Sequence, residues 1–182
     1  MKYDIQTGIV SEALRIDSPN QDARPDSEDI SLIVIHGISL PAGEYGGSWI
    51  SDLFTNRLDA SAHPSFVEIA DLKVSSHFFI RRDGELQQFV PVTHRAWHAG
   101  VSRYQGRENC NDFSIGIELE GVDDSPYESV QYEQLAKLIH TLVGALPRLG
   151  YDAITGHVDI APGRKTDPGP AFDWQLLRKK LA

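Results

Sequence analysis

Between Gly156 and Pro170 the chain reads GHVDIAPGRKTDPGP, and this stretch constrains the fold more than any other. Pro162, Pro168 and Pro170 each fix φ and remove a backbone donor, so the segment predicts neither a helix nor a central strand. It predicts a shaped loop, and loops carried on a rigid scaffold are where binding and catalytic groups concentrate. This one places His157, Asp159, Lys165 and Asp167 within eleven residues. Far upstream, the apolar run Leu32-Ile33-Val34-Ile35 ends in His36-Gly37. Two distant histidines and a carboxylate are the ligand supply of a catalytic zinc, which takes three protein ligands and keeps a fourth position open.

The surrounding pattern predicts one α/β domain over residues 1–182, a central mixed β-sheet flanked by α-helices. Ser31–His36 reads as a buried strand and Trp49–Phe54 as a short helix. Lys73–Ile80 and Leu86–Val90 flank Asp83-Gly84 and read as a β-hairpin. Phe113–Glu120 alternates cleanly, with Phe113, Ile115, Ile117 and Leu119 on one face and Ser114, Gly116, Glu118 and Glu120 on the other. Ser125-Pro126-Tyr127-Glu128 reads as a capping box. The apolar stripe Leu135, Leu138, Ile139, Leu142, Val143 and Leu146 follows it at helical spacing. Ala153–Thr155 is expected to be a brief strand delivering His157, and Asp173–Leu181 a closing helix. Residues 17–29 and 98–112 read as loops.

Composition narrows the function. The formal net charge is −9, which argues against a nucleic-acid partner. Arg81-Arg82, Arg95, Arg103, Arg107 and Arg164-Lys165 bunch enough to suggest a positive patch for a small anion, with solvated surface as the alternative. No apolar run is long enough to cross a bilayer, and the first twenty residues hold no secretory core, so no membrane partner and a cytoplasmic location are expected. A single cysteine, Cys110, excludes an internal disulfide and a cysteine zinc cage.

Of seven histidines, most are expected to be bystanders. His140 falls off its helix's apolar stripe, His63 precedes Pro64 in a polar loop, and His77 alternates with Phe79 as a satisfied core residue. His94 and His98 flank Trp97, whose ring could stack on a sugar or simply pack. His36 and His157 stand out because each ends a strand-like run. Asp159 and Asp167 compete for the carboxylate position; Asp159 could instead cap the turn after His157. Glu118 shares its strand face with Gly116, whose missing side chain is expected to leave room for a ligand. A carboxylate there can take a proton from water, and Lys165 can stabilise an oxyanion.

Four segments carry a resemblance: IHGISLP from Ile35, RAWHAGVS from Arg95, NDFSIGIELEG from Asn111, and residues 155–174. Together, spanning about residues 30–175, they resemble the type-2 N-acetylmuramoyl-L-alanine amidases, in particular those acting on 1,6-anhydro-muropeptides in cytoplasmic peptidoglycan recycling. The resemblance implies Zn2+ held by His36, His157 and Asp167, Glu118 as general base and Lys165 as oxyanion stabiliser. It implies hydrolysis of the amide between the lactyl group of 1,6-anhydro-N-acetylmuramic acid and L-alanine; apart from it, a monomer is expected. It also places Lys73, Trp97 and Asn109 at the substrate. The pattern departs at Gly37, where relatives carry Asn, and at Lys73 and Asn109, where they carry arginine or another basic residue. A non-catalytic peptidoglycan-recognition module is the alternative.

Overall fold

The computed structural model describes residues 1–182. A six-stranded sheet runs through its centre, built from β1 Leu14–Arg15, β2 Leu32–Ile38, β3 Phe78–Ile80, β4 Leu86–Gln88, β5 Ser114–Glu120 and β6 Ile154–Gly156. The strand order is β6-β2-β5-β3-β4-β1. Only β3 and β4 run antiparallel; every other neighbouring pair is parallel. The mixed sheet expected from the sequence is therefore present.

Helices α1 Trp49–Phe54, α2 Ser129–Ala145, α3 His157–Ile160 and α4 Trp174–Leu181 surround the sheet. Ile33 and Ile35 of β2 and Ile115, Ile117 and Leu119 of β5 pack against Leu135, Leu138, Ile139 and Leu142 of α2. Burying such a side chain stabilises by about 1.5–3 kcal/mol, and Gln131 Nε2 adds hydrogen bonds to the Ile80 and Glu120 carbonyls. On the opposite face Leu32 and Val34 pack with Ala99, Cys110, Phe113 and Ile160, while Phe79 packs with α1. All seven residues of β5 are buried because both faces of the sheet are covered.

Several elements differ from expectation. The α2 helix begins at Ser129, not beside Pro126, and its capping contact is Glu128 N–H donating to Gln131 Oε1 at 2.9 Å. The chain before it is held by Tyr127, whose buried hydroxyl donates to the Pro168 carbonyl at 2.9 Å. The hairpin's first strand is only Phe78–Ile80; ahead of it Ser75 N–H donates to the Trp97 carbonyl, and His77 N–H donates to the Gly116 carbonyl of β5. Residues 17–29 are not simply a surface loop. Gln21–Ala23 pairs with His94–Ala96, and buried Arg24 donates to the carbonyls of Val92, Asn111, Asp112 and Ser114. Within 98–112 a two-residue hairpin, Arg103–Tyr104 with Arg107–Glu108, and a 3-10 turn at Cys110–Asp112 replace plain loop. The proline-rich segment is irregular from Ala161 onward, but Gly156 ends β6 and His157–Ile160 form the helical turn α3, since the prolines begin only at Pro162.

Four of the bunched arginines are neutralised by acidic partners, while Arg81, Arg164 and Lys165 have none. Arg82 pairs with Glu128, Arg95 with Asp22 and Asp112, Arg103 with Glu108, and Arg107 with Asp29.

Candidate metal centre

β2 and β5 are paired in register, with His36 opposite Glu118, so the hydrogen-bond ladder sets both side chains at the same height on one face. β6 runs along the other side of β2 and delivers His157 one residue past its end. The loop after α3 then returns over the same strand ends, with Val158 N–H donating to the Asp167 carbonyl at 2.9 Å.

Three ligand atoms converge there. His36 Nδ1 lies 3.0 Å from His157 Nδ1 and 3.2 Å from Asp167 Oδ2, and His157 Nδ1 lies 3.1 Å from the same oxygen. Zinc bonds of about 2.0–2.1 Å would put tetrahedral ligands roughly 3.3–3.4 Å apart, so the triangle fits with a small expansion. His157 Nε2 is 3.2 Å from the Ala99 carbonyl, which only accepts, so Nε2 holds the proton and Nδ1 presents its lone pair. Burial disfavours the charged imidazole of His36 and pushes its pKa down to about 4. Burial alone would raise Asp167, but the adjoining His157 and His36 rings outweigh it and hold the carboxylate well below its usual range. Two neutral imidazoles and one ionised carboxylate make a donor set suited to a divalent metal ion.

Asp159 is not part of this triangle. Its Oδ2 accepts from Thr155 Oγ1 at 3.0 Å and Gly156 N–H at 2.9 Å, closing the first turn of α3. Of the two carboxylates that spacing left open, Asp159 caps this turn and Asp167 lies with the histidines.

Glu118 is buried beside the triangle, with Oε1 3.9 Å from His36 Nδ1 and Oε2 lacking any partner. Burial, reinforced by the nearby Asp167 charge, pushes its pKa well above the ordinary carboxylate value, while Lys165 opposes the shift. A buried, unpartnered carboxylate oxygen facing a ligand triangle is poised to exchange a proton with something held there.

A cavity of about 260 Å³ joins these groups. His36, His157, Asp167, Glu118, Lys165 and Trp97 all line it, opposite an apolar wall that includes Leu40, Phe54, Ile69 and Leu72. Trp97 is fixed by Nε1–H donating to Asp22 Oδ1 at 3.2 Å. Lys73 and Asn109 do not line the cavity. Lys73 is exposed between Leu72 and Val74, which do. Asn109, in a left-handed conformation at φ 59°, edges a separate shallow depression with Arg103 and Arg164.

The space above Gly116 is not free for a ligand. A Cβ there would fall 2.5 Å from the ring of His98, which occupies it. Reading the sequence alone missed this role of His98, and it missed the apolar wall. The available signal was Gly116 itself, a gap in a buried strand that some ring had to fill. Beside Gly37, the position that departs from the resemblance pattern, lies the Tyr127 hydroxyl. His77 is a core residue as expected, its Nδ1 accepting from Gly116 N–H at 3.0 Å. His63 caps a 3-10 turn, and His140 and His94 are exposed.

The sequence profile of the N-acetylmuramoyl-L-alanine amidases matches residues 26–170. The 1,6-anhydro-N-acetylmuramyl-L-alanine amidase AmpD of Salmonella typhimurium LT2 is 59% identical over 175 residues, 96% of this chain and 93% of its own. That of Escherichia coli K12 is 58% identical over 174 residues, 96% and 94% of the two chains. A crystal structure of a selenomethionine AmpD derivative superposes with a TM-score of 0.96 at 55% identity, covering both chains completely. The amidase AmiD of E. coli, solved with anhydro-N-acetylmuramic acid-L-Ala-D-gamma-Glu-L-Lys, superposes at 0.61 and 30% identity over 87% of this chain and 60% of its own. Matched along almost its whole length, the chain belongs to the N-acetylmuramoyl-L-alanine amidase family, in its AmpD branch.

Proposed function

We propose that this protein is a zinc amidase that hydrolyses the bond between the lactyl group of 1,6-anhydro-N-acetylmuramic acid and the L-alanine of the stem peptide. The observation that carries this reading is the triangle of His36, His157 and Asp167 beside an unpartnered, buried Glu118. Zinc held by those three residues would supply a Lewis acid and an acidified water. Glu118, with its raised pKa, accepts the proton of the attacking water and returns it to the departing amine. Lys165 reaches the same cavity from the loop and carries no acidic partner, so its ammonium is free to stabilise negative charge on the attacked carbonyl oxygen. The half-apolar cavity suits a compact anhydro-sugar, whose fused ring offers carbon faces to Trp97 and Leu40. Lys73 and Asn109 lie outside it and belong to the stem-peptide end of the substrate.

One amidase domain over residues 1–182, acting as a monomer on recycled wall fragments in the cytoplasm, completes the proposal. No helix is long and apolar enough to cross a membrane, and the net charge of −9 disfavours nucleic acid. A recognition module would have no use for a destabilising buried carboxylate, so Glu118 favours the enzyme over the binding alternative. The test is mass spectrometry of products from mixed anhydro and reducing muropeptides, with and without a chelator. Cleavage of the anhydro forms, abolished by chelation and restored by zinc, is expected. Equal cleavage of both kinds would remove the sugar specificity, and chelator-resistant cleavage would remove the metal.

A further inference from the structure

The two histidines of the triangle are oriented by two consecutive residues. His36 Nε2 lies 2.9 Å from His98 Nδ1, and His157 Nε2 lies 3.2 Å from the carbonyl of Ala99. His98 is itself fixed on several sides. Its Nε2 is 3.1 Å from Ser114 Oγ, its ring sits in the space that Gly116 leaves, and it meets the His36 ring edge-on with centroids 5.0 Å apart. A single side chain secures the backbone of the pair: Asn111 Oδ1 accepts from His98 N–H at 3.1 Å and from Ala99 N–H at 2.8 Å. The Asn111 carbonyl is in turn held by buried Arg24 at 3.2 Å.

When His36 ligates through Nδ1, its Nε2 carries the proton. His98 must then accept at Nδ1 and donate from Nε2 to Ser114. Partners that fix the tautomer and aim of a ligating imidazole are worth about 10–100-fold in metal affinity. We propose that His98 and Ala99, clamped by Asn111, form one support that sets the tautomer and direction of both imidazole ligands, making His98 and Asn111 positioning residues of the metal centre. This rests on the metal reading of His36, His157 and Asp167.

The experiment is zinc titration of chelator-stripped full-length protein against a chromophoric competitor, for wild type, His98→Leu, His98→Asn and Asn111→Ala. Wild type should bind one zinc. His98→Leu and Asn111→Ala should bind it roughly 10–100-fold more weakly. His98→Asn, whose Oδ1 can stand where Nδ1 stood, should recover most of the loss. Imidazole ¹H–¹⁵N spectra of the zinc-loaded forms should show His36 as the Nε2–H tautomer in wild type and His98→Asn, and a mixed or altered state in His98→Leu. Absence of zinc binding by wild type would overturn the metal reading. Tight wild-type binding with unchanged affinity in Asn111→Ala and in whichever His98 variants fold, or a His98→Asn no better than His98→Leu, would overturn the support proposed here and leave the metal reading intact.

Discussion

Glu118→Gln offers the sharpest test, because the same substitution should strengthen the fold and disable the enzyme. In the metal-free protein this carboxyl is buried, one of its oxygens has no partner, and its pKa is raised by that burial. At neutral pH the folded chain must either bury the charge or keep a proton that the unfolded chain would release. Gln keeps the buried polar atoms but cannot ionise, so it relieves the ionisation penalty alone, on the order of 1–3 kcal/mol. For a chain of this size each kcal/mol moves Tm by about 2–4 °C, so the variant should melt roughly 2–12 °C higher at pH 7. The gain has a definite pH shape. The folded-state pKa lies above the unfolded value, so the wild type keeps full relative stability below about pH 4 and loses it as pH rises through the raised pKa. The difference between variant and wild type should therefore be small in acid and grow toward neutrality. Circular-dichroism melts of metal-free protein from pH 4 to 8 measure it, and amide-cleavage rates of the zinc-loaded forms complete the test. Turnover should fall on the order of 10²–10⁴. A variant that is less stable at every pH, or one that keeps near-normal turnover, would refute the argument.

Asp167→Ala removes the only anionic ligand, and elemental analysis should find little zinc; full metal content with activity would exclude Asp167 from the centre. Lys165→Ala should keep its zinc yet lose roughly 10²–10³ in kcat, the scale of one oxyanion donor, as single-turnover rates can verify. Lys73→Ala should raise KM for tri- and tetrapeptide substrates more than for one ending at L-alanine, and Asn109→Arg should do the reverse, both effects fading at high salt. Equal weakening of long and short substrates by Lys73→Ala would make that residue a support of the fold. Leu135→Ala, deep under the sheet, should cost about 2–5 kcal/mol in denaturant unfolding while kcat/KM per folded molecule stays unchanged.

The parts of this molecule that could be read from sequence are those governed by local periodicity. The alternation of β5 placed Glu118 on the face opposite Ile117, and the stripe of α2 named its buried side chains before any packing was known. The convergence of His36, His157 and Asp167 was not readable that way. Residue spacing left Asp159 and Asp167 open, and only the long segment resemblance separated them, because spacing does not show that Asp159 caps the turn at Gly156. Gly116 shows the opposite failure. Its missing side chain was visible, but the choice between ligand and ring depends on where a segment 18 residues upstream, carrying His98, returns to the strand. The start of α2 was misplaced for a similar reason: Tyr127 is drawn out of the helix by Pro168, a partner 41 residues away.

The ligand triangle has a topological side. His36 is 121 residues from His157 and 131 from Asp167 along the chain. An ion gripping all three closes two nested loops that the chain, with its single cysteine, has no covalent means of closing. A disulfide spanning a loop of that size would contribute roughly 4–5 kcal/mol in the chain-entropy picture. An ion differs in being removable, since its contribution follows the ratio of free metal to Kd. The ends of the clip are also unequal: His36 sits on a strand paired on both sides, while Asp167 rides on an irregular loop. Metal starvation should therefore act first as an unfastening of residues 161–170, with the sheet intact, so that resistance to proteolysis at this loop rises and falls with the zinc supply.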